Sequence, residues 1–303
     1  MKTEKNILIA FILNFAFSIF EFLGGILTGS VAIVSDAIHD IGDAASIGVS
    51  WFLEKKSQKQ PDEQYTYGYL RYSVLGSLIT TLILIFGSGT VIIQAVSRII
   101  SPRSIRYSGM ILFALVGVCV NFGAAFFTRE GDSLNQKAVN LHMLEDVLGW
   151  LVVLVGAVVM GLTGWTLLDP IMSIGVAIYI LIHAVRNLKQ ITDLFLMKTP
   201  GGIRIEEIRR HIRSLDGVLD VHHLHIWSMD GQNHYATMHV VTDAEPHRTK
   251  ETVRQVLLAH GIGHVTLELE RSGEHCHGEI CHVAYCTHSG HHHHHHGSKG
   301  NGN

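Results

Sequence analysis

Charge is what this sequence has least of. Of its 303 residues only 16% are Asp, Glu, Lys or Arg, against 47% hydrophobic. An ordinary soluble domain carries about a quarter charged residues. Charges this sparse exclude a large soluble domain and point to a chain that lives in a bilayer. Net charge is small as well, formally −3, so there is no field to gather a polyanion, and nucleic acid is not expected as a partner. Cysteine is rare, four residues in all. Cys119 sits in an apolar run, while Cys276, Cys281 and Cys286 cluster among histidines near the end. That grouping speaks for metal or redox chemistry rather than a disulfide scaffold. No His-Glu-x-x-His occurs, which removes the usual signature of a helical zinc hydrolase. A cleavable leader is not expected: the first apolar run is too long, lacks a small-residue cleavage site, and is followed by further runs.

Long apolar runs are there instead. Windows of spanning length occur at about 6–28, 31–53, 72–97, 108–128, 139–162 and 166–188. A span needs roughly 20 residues, so the sequence predicts six transmembrane helices over residues 1–199. Lys and Arg set the orientation. Lys2, Lys5, Lys55, Lys56, Lys59, Arg71, Arg129, Lys137, Arg186, Lys189 and Lys198 fall on one side of these spans, and Arg98, Arg103 and Arg106 on the other. Both termini are therefore expected in the cytoplasm of a multi-pass membrane protein.

Two of the spans carry the same ionisable pattern. His39 and Asp43 lie in the second, His142 and Asp146 in the fifth, each as His-x-x-x-Asp. Positions four apart share a helix face, with Cβ atoms about 5–6 Å apart, so each copy offers one imidazole and one carboxylate to a single point. Two such helices facing each other supply two nitrogens and two oxygens, a set that suits tetrahedral zinc. A lone histidine in an apolar run is commonly a hydrogen-bonded core residue. Two matching copies inside spans, where ionisable groups are costly, favour metal binding. Asn14 and Glu21 add buried polarity to the first span, and Asp36, Asp40 and Glu145 flank the two pairs, either orienting the histidines or acting as plain interface carboxylates.

Pro200-Gly201-Gly202 breaks the apolar pattern and opens a second domain over 200–271. Its order reads helix 203–214, strands 218–227 and 234–242, helix 247–260 and strand 264–270, with Pro246 suited to a helix start. This α-β-β-α-β order predicts a ferredoxin-like α+β sandwich. Strand alternation places His223 and His225 on the face opposite His222. Residues 272–303 form a Cys/His-rich tail, expected to be disordered without metal. Its run of six histidines is either an expression tag or native.

The sequence resembles the cation diffusion facilitator family of zinc transporters. The likeness is carried by Thr28-Gly29-Ser30, by Ser35-Asp36-Ala37-Ile38-His39 with Asp43, and by Tyr65-Thr66-Tyr67-Gly68 with Arg71. It continues through His142 to Asp146, Asp169-Pro170-Ile171, and His222 with His225-Ile226-Trp227-Ser228. The resemblance implies six spans followed by a cytoplasmic domain, a homodimer, and exchange of cytoplasmic Zn²⁺ for protons in a bacterial inner membrane. It implies that His39, Asp43, His142 and Asp146 form the transport site. It implies further that His222, His239 and Glu270 hold a regulatory zinc in the cytoplasmic domain. From the residues alone, Cys276, Cys281 and Cys286 offer soft ligands next to that site, although their spacing is not a zinc-finger pattern. Some bacterial relatives carry Asp in place of His39 and accept cadmium as readily as zinc, so the His form belongs with the zinc-selective members. One departure stands out. Certain relatives bind a further metal through an Asp and two His after the second span. Here Asp62 is present, but Tyr65 and Tyr69 occupy the histidine places, and no metal is expected there.

The chain is thus expected to be a transporter of divalent metal working by alternating access, and not an enzyme. The alternatives are a membrane metalloenzyme and a metal sensor that does not transport. The first needs an open metal position for an activated water; the second has no use for a ligand set buried in the bilayer.

Overall fold

The computed structural model describes residues 2–28, 31–100, 110–163 and 167–274. Two compact units are present: Ile203 closes the main segment of the first and Arg204 opens the second, with residues 226–235 and 261–264 grouped with the first.

Among the described residues the first unit contains six long helices: α1 Lys2–Thr28, α2 Val31–Ser57, α3 Arg71–Ile100, α4 Met110–Thr128, α5 Leu134–Thr163 and α6 Leu168–Phe195. Four hold stretches long and apolar enough to cross a bilayer: Thr3–Gly24, Arg71–Ser97, Leu134–Gly156 and Pro170–Phe195. In α4 the described apolar stretch is shorter, Ala114–Thr128. Acidic side chains and two lysines lower the hydropathy of α2. The six helices match the six apolar windows; α1, α2, α3 and α5 run past theirs at one or both ends, α4 lies within its window, and α6 runs past its window only at the C-terminal end.

Apolar side chains such as Phe86, Ile93, Phe122 and Val185 are exposed on the outside of the bundle, as lipid requires. Inside, small residues let the helices approach. Ala10 of α1, Ala124 and Ala125 of α4 pack with Ile7, Ile47, Val139 and Met143 in one cluster. Phe17, Ala114 and Trp150 form a second, and Leu84, Ile180 and Ala184 join α3 to α6. Gly117 is required by closeness: a Cβ there would lie 2.7 Å from Trp150 Cδ2, and that ring is held edge-on to Phe17 at 5.6 Å.

Polar groups are buried in pairs and networks, as membrane interiors demand. The Glu54 carboxylate of α2 accepts from Ser73 of α3 at 2.6 Å and from Ser133 at 3.3 Å. It also accepts from Asn135 Nδ2 of α5 at 3.1 Å. Asn135 also donates to the Ser50 carbonyl, and Ser50 pairs with Thr80 at 2.6 Å. Three helices, α2, α3 and α5, are thereby tied together. Helix α6 ends in a Schellman turn: Met197 is left-handed (φ 55°), and the N–H groups of Met197 and Lys198 donate to the carbonyls of Leu194 and Asp193.

The second unit belongs to an α+β domain with α7 Ile205–Arg213, β1 Val218–Ser228, β2 His234–Thr242, α8 Pro246–Ala259 and β3 Ile262–Glu270. The sheet order is β1-β2-β3, and Ile208, Ile212, Val253 and Leu257 of the helices and Val221, Leu224, Met238 and Val240 of the strands are all buried. This is the α+β sandwich expected from the order of elements. Pro246 opens α8, and Glu245 caps it, its carboxylate accepting from the N–H groups of His247 and Arg248. Those two donors hold the Glu245 carboxyl below the usual range.

Alternation in β2 is regular, with Ala236, Met238, Val240 and Thr242 buried. In β1 it slips: Val221 and then Leu224 are buried, three apart, with Ile226 and Ser228 following at the normal interval. The slip lies at His223, whose φ is +48°. A left-handed residue inside a strand inserts an extra step and re-aims its side chain. This overturns the expectation that His223 and His225 lie opposite His222: with Val221, Leu224 and Ile226 buried, all three histidines are on the outer face.

Candidate metal centres

Helices α2 and α5 bring the membrane residues together. Ligand atoms of Asp43, His142 and Asp146 all lie within 4.8 Å of one another. His142 is 3% exposed, and its Nε2 stands 3.9 Å from Asp43 Oδ2. The edge of a zinc tetrahedron is about 3.3 Å from its usual bond lengths, so a slight closing of the two helices would fit an ion. His39 falls on α2, one turn before Asp43; its side chain lies outside the described residues. The other half of the first His-x-x-x-Asp pair and the whole of the second thus converge.

Two supporting contacts were not legible as such. Glu145 Oε2 lies 3.9 Å from His142 Nδ1, while its Oε1 accepts from Ser88 of α3 at 3.3 Å. Asn14 of α1 donates from Nδ2 to Asp146 Oδ2 at 3.2 Å. The cluster is therefore braced from α1 and α3 as well as built by α2 and α5.

In the C-terminal domain His222, His239 and Glu270 form the second cluster within 4.8 Å. Glu270 reaches both rings: Oε1 is 2.6 Å from His239 Nδ1 and Oε2 is 3.2 Å from His222 Nε2. The other nitrogen of His239 is 3.3 Å from Glu268 Oε2. The left-handed turn at His223 sets its ring 4.9 Å from His239 and 5.3 Å from His222. A groove next to the cluster is lined by His223, His225, His239, Thr266 and Glu268. Glu268 escaped the sequence reading, although it lies two residues from Glu270 and so shares its strand face. Cys276, Cys281 and Cys286 lie outside the described residues.

The loop between α2 and α3 carries Asp62, where the sequence predicts no further metal site. Here its carboxylate is already engaged. Oδ2 takes Lys59 Nζ at 2.7 Å and the Tyr69 hydroxyl at 2.6 Å; Oδ1 takes the N–H groups of Gln64 and Tyr65. The lysine ammonium supplies the positive charge, and tyrosine stands where a histidine ligand would be. Hydrogen bonds from Lys59, Tyr69 and the Tyr65 N–H hold Asp62 well below the usual carboxylate range. Asp62 and Tyr69 in turn hold Lys59 well above the usual lysine range.

A six-helix membrane unit with histidine and carboxylates converging in its interior, followed by a histidine-bearing α+β domain, defines a polytopic protein that handles metal cations. Comparison gives the family. Residues 7–196 match the cation efflux transmembrane domain, and residues 200–272 match the cytoplasmic domain of cation efflux proteins. The chain belongs to this family of transporters, the cation diffusion facilitators. Over 301 residues it is 32% identical to the zinc transporter ZitB of Escherichia coli (strain K12), covering 96% of this chain and 95% of that protein. The ZitB of Yersinia pestis is 31% identical over 299 residues, covering 96% and 95%. The cadmium, cobalt and zinc/H(+)-K(+) antiporter of Bacillus subtilis (strain 168) is 30% identical over 299 residues, covering 95% and 96%.

Proposed function

We propose that this protein exports divalent zinc from the cytoplasm in exchange for protons. The observation that carries the reading is the convergence of Asp43, His142 and Asp146 from two helices in the membrane unit. The similarity to the ZitB proteins and to an H(+)-coupled antiporter supports zinc as cargo and protons as counter-ion. In this reading His39, one turn from Asp43, is the fourth ligand. Zinc binds the deprotonated groups from the cytoplasmic side, and the helices rock to open the site outward. Protons then compete for the ligands, since imidazole titrates near neutral pH and must be neutral to hold metal.

The protein works as a homodimer with both termini in the cytoplasm of the inner membrane. Its C-terminal domain is the dimerising and sensing part. His222, His239 and Glu270, with Glu268 added, bind cytoplasmic zinc and bias the conformational equilibrium by their differential affinity for its two states. The domain boundaries fall at 199/200 and 271/272. The test is uptake into proteoliposomes across a series of zinc, cadmium, cobalt and nickel, with and without a pH gradient. Zinc flux driven by the gradient supports the reading, and flux indifferent to it contradicts proton exchange.

A further inference from the structure

Helix α1 supplies none of the three clustered groups, yet it reaches the cluster. Asn14 is 1% exposed and donates from Nδ2 to Asp146 Oδ2 at 3.2 Å. Its own turn of helix is fixed, because the Ser18 hydroxyl donates to the Asn14 backbone carbonyl at 2.8 Å. An ionised carboxylate can only accept, so the amide must present its NH₂ to Asp146. That leaves the carbonyl Oδ1 on the other arm of the amide. Oδ1 is buried and has no hydrogen-bond partner among the described residues. A buried acceptor without a donor costs free energy, and native structures keep few of them without a reason. Beside a cation site the natural donor is a water carried in on the ion.

We propose that Asn14 is a positioning residue for the cargo ion. Its N–H holds Oδ2 of Asp146 and so orients that carboxylate within the cluster. Its carbonyl takes a hydrogen bond from a metal-bound water while the ion sheds its hydration shell. The inference rests on the transport-site reading above. A competing role is simple polar glue between α1 and α5, which would affect helix packing and the yield of folded dimer, but not the affinity for metal.

Zinc uptake into proteoliposomes, measured over a range of zinc concentrations at equal dimer content, separates these roles. The variants are Asn14→Leu, similar in size but without hydrogen bonds, and Asn14→Ser, smaller and keeping a hydroxyl donor; Asp146→Ala is the reference. Loss of a charge-assisted hydrogen bond to a ligand should raise the half-saturating zinc concentration about tenfold in Asn14→Leu. The maximal rate should stay within about twofold, and Asn14→Ser should fall between Asn14→Leu and the unaltered protein. An unchanged half-saturation in either folded variant overturns the proposal, as does a fall in maximal rate alone. If Asn14→Leu does not assemble, the half-saturation of Asn14→Ser decides. Silent Asp146→Ala beside unaffected Asn14 variants removes only the role of Asn14. Active Asp146→Ala removes the transport-site reading itself.

Discussion

His142 Nε2 of α5 and Asp43 Oδ2 of α2 face each other at 3.9 Å. The two ligand helices thus meet through an imidazole and a carboxylate, and small relative tilts of α2 and α5 open or close the space between them. His39 shares its helix with Asp43, so the proposed complete set has two imidazoles and two carboxylates. Replacing His39 with Asp puts in a carboxylate, which can bind through one oxygen or two and makes the set less particular about ion size and geometry. The expected outcome is retained zinc transport with a several-fold rise in the cadmium-to-zinc uptake ratio, read from parallel flux assays. An unchanged ratio would remove His39 from selectivity.

The loop after α2 should behave as a metal-independent clamp. The depressed Asp62 contributes stability above the ordinary carboxylate pKa and loses it only as pH falls through its lowered value. The raised Lys59 contributes below the ordinary lysine pKa and loses it only as pH rises through its raised value. The clamp is therefore intact from about pH 5 to 9. Hydrogen exchange over residues 58–70 should be the same with zinc or with chelator across that range, whereas Lys59→Ala should speed it. Zinc-dependent protection would mean that Asp62 binds metal after all.

In the C-terminal domain, His222→Ala with His239→Ala should shift the zinc concentration for half-maximal transport by about tenfold or less, without abolishing flux. A coupling of that size is what a regulatory ligand supplies. Glu268→Ala should give a smaller shift in the same direction, because it lies against His239 but is not one of the three clustered groups. Transport curves that superimpose on the unaltered protein would make these residues mere surface histidines, and complete loss would place the essential site here.

Gly117→Ala should destabilise the bundle. The added Cβ would sit 2.7 Å from a Trp150 ring that is itself packed on Phe17, and overpacking of this kind costs about 1–3 kcal/mol. The thermal unfolding midpoint in detergent should fall measurably. A midpoint equal to that of the unaltered protein would mean that the ring moves aside freely.

Local pattern made much of this legible. Helical period and hydropathy reveal the spans, and a four-residue spacing within two of them reveals the His/Asp pairs. The alternation of β2 is plain because nothing interrupts it. What stayed hidden depends on contacts far apart in the chain or on one unusual dihedral angle. Asn14 and Asp146 are 132 positions apart, and no spacing rule links them. His223 changes sides because its φ is +48°, a conformation that non-glycine residues seldom adopt and for which a histidine inside a strand pattern is only a weak signal. The neutralisation of Asp62 by Lys59 was within reach of sequence, but only once the turn that closes the loop was known.

The most direct measurement is simultaneous recording of zinc and proton movement in proteoliposomes containing the unaltered protein, Asp43→Ala or Asp146→Ala. The account predicts that an outward zinc flux from the cytoplasmic face is accompanied by opposite proton movement in the unaltered protein. Both fluxes should fall by more than about a hundredfold in either variant, since loss of a direct ligand exceeds the 10–100-fold effect of a supporting one, while dimer content is unchanged. Near-normal zinc flux in Asp146→Ala, or zinc flux without proton movement in the unaltered protein, would contradict it.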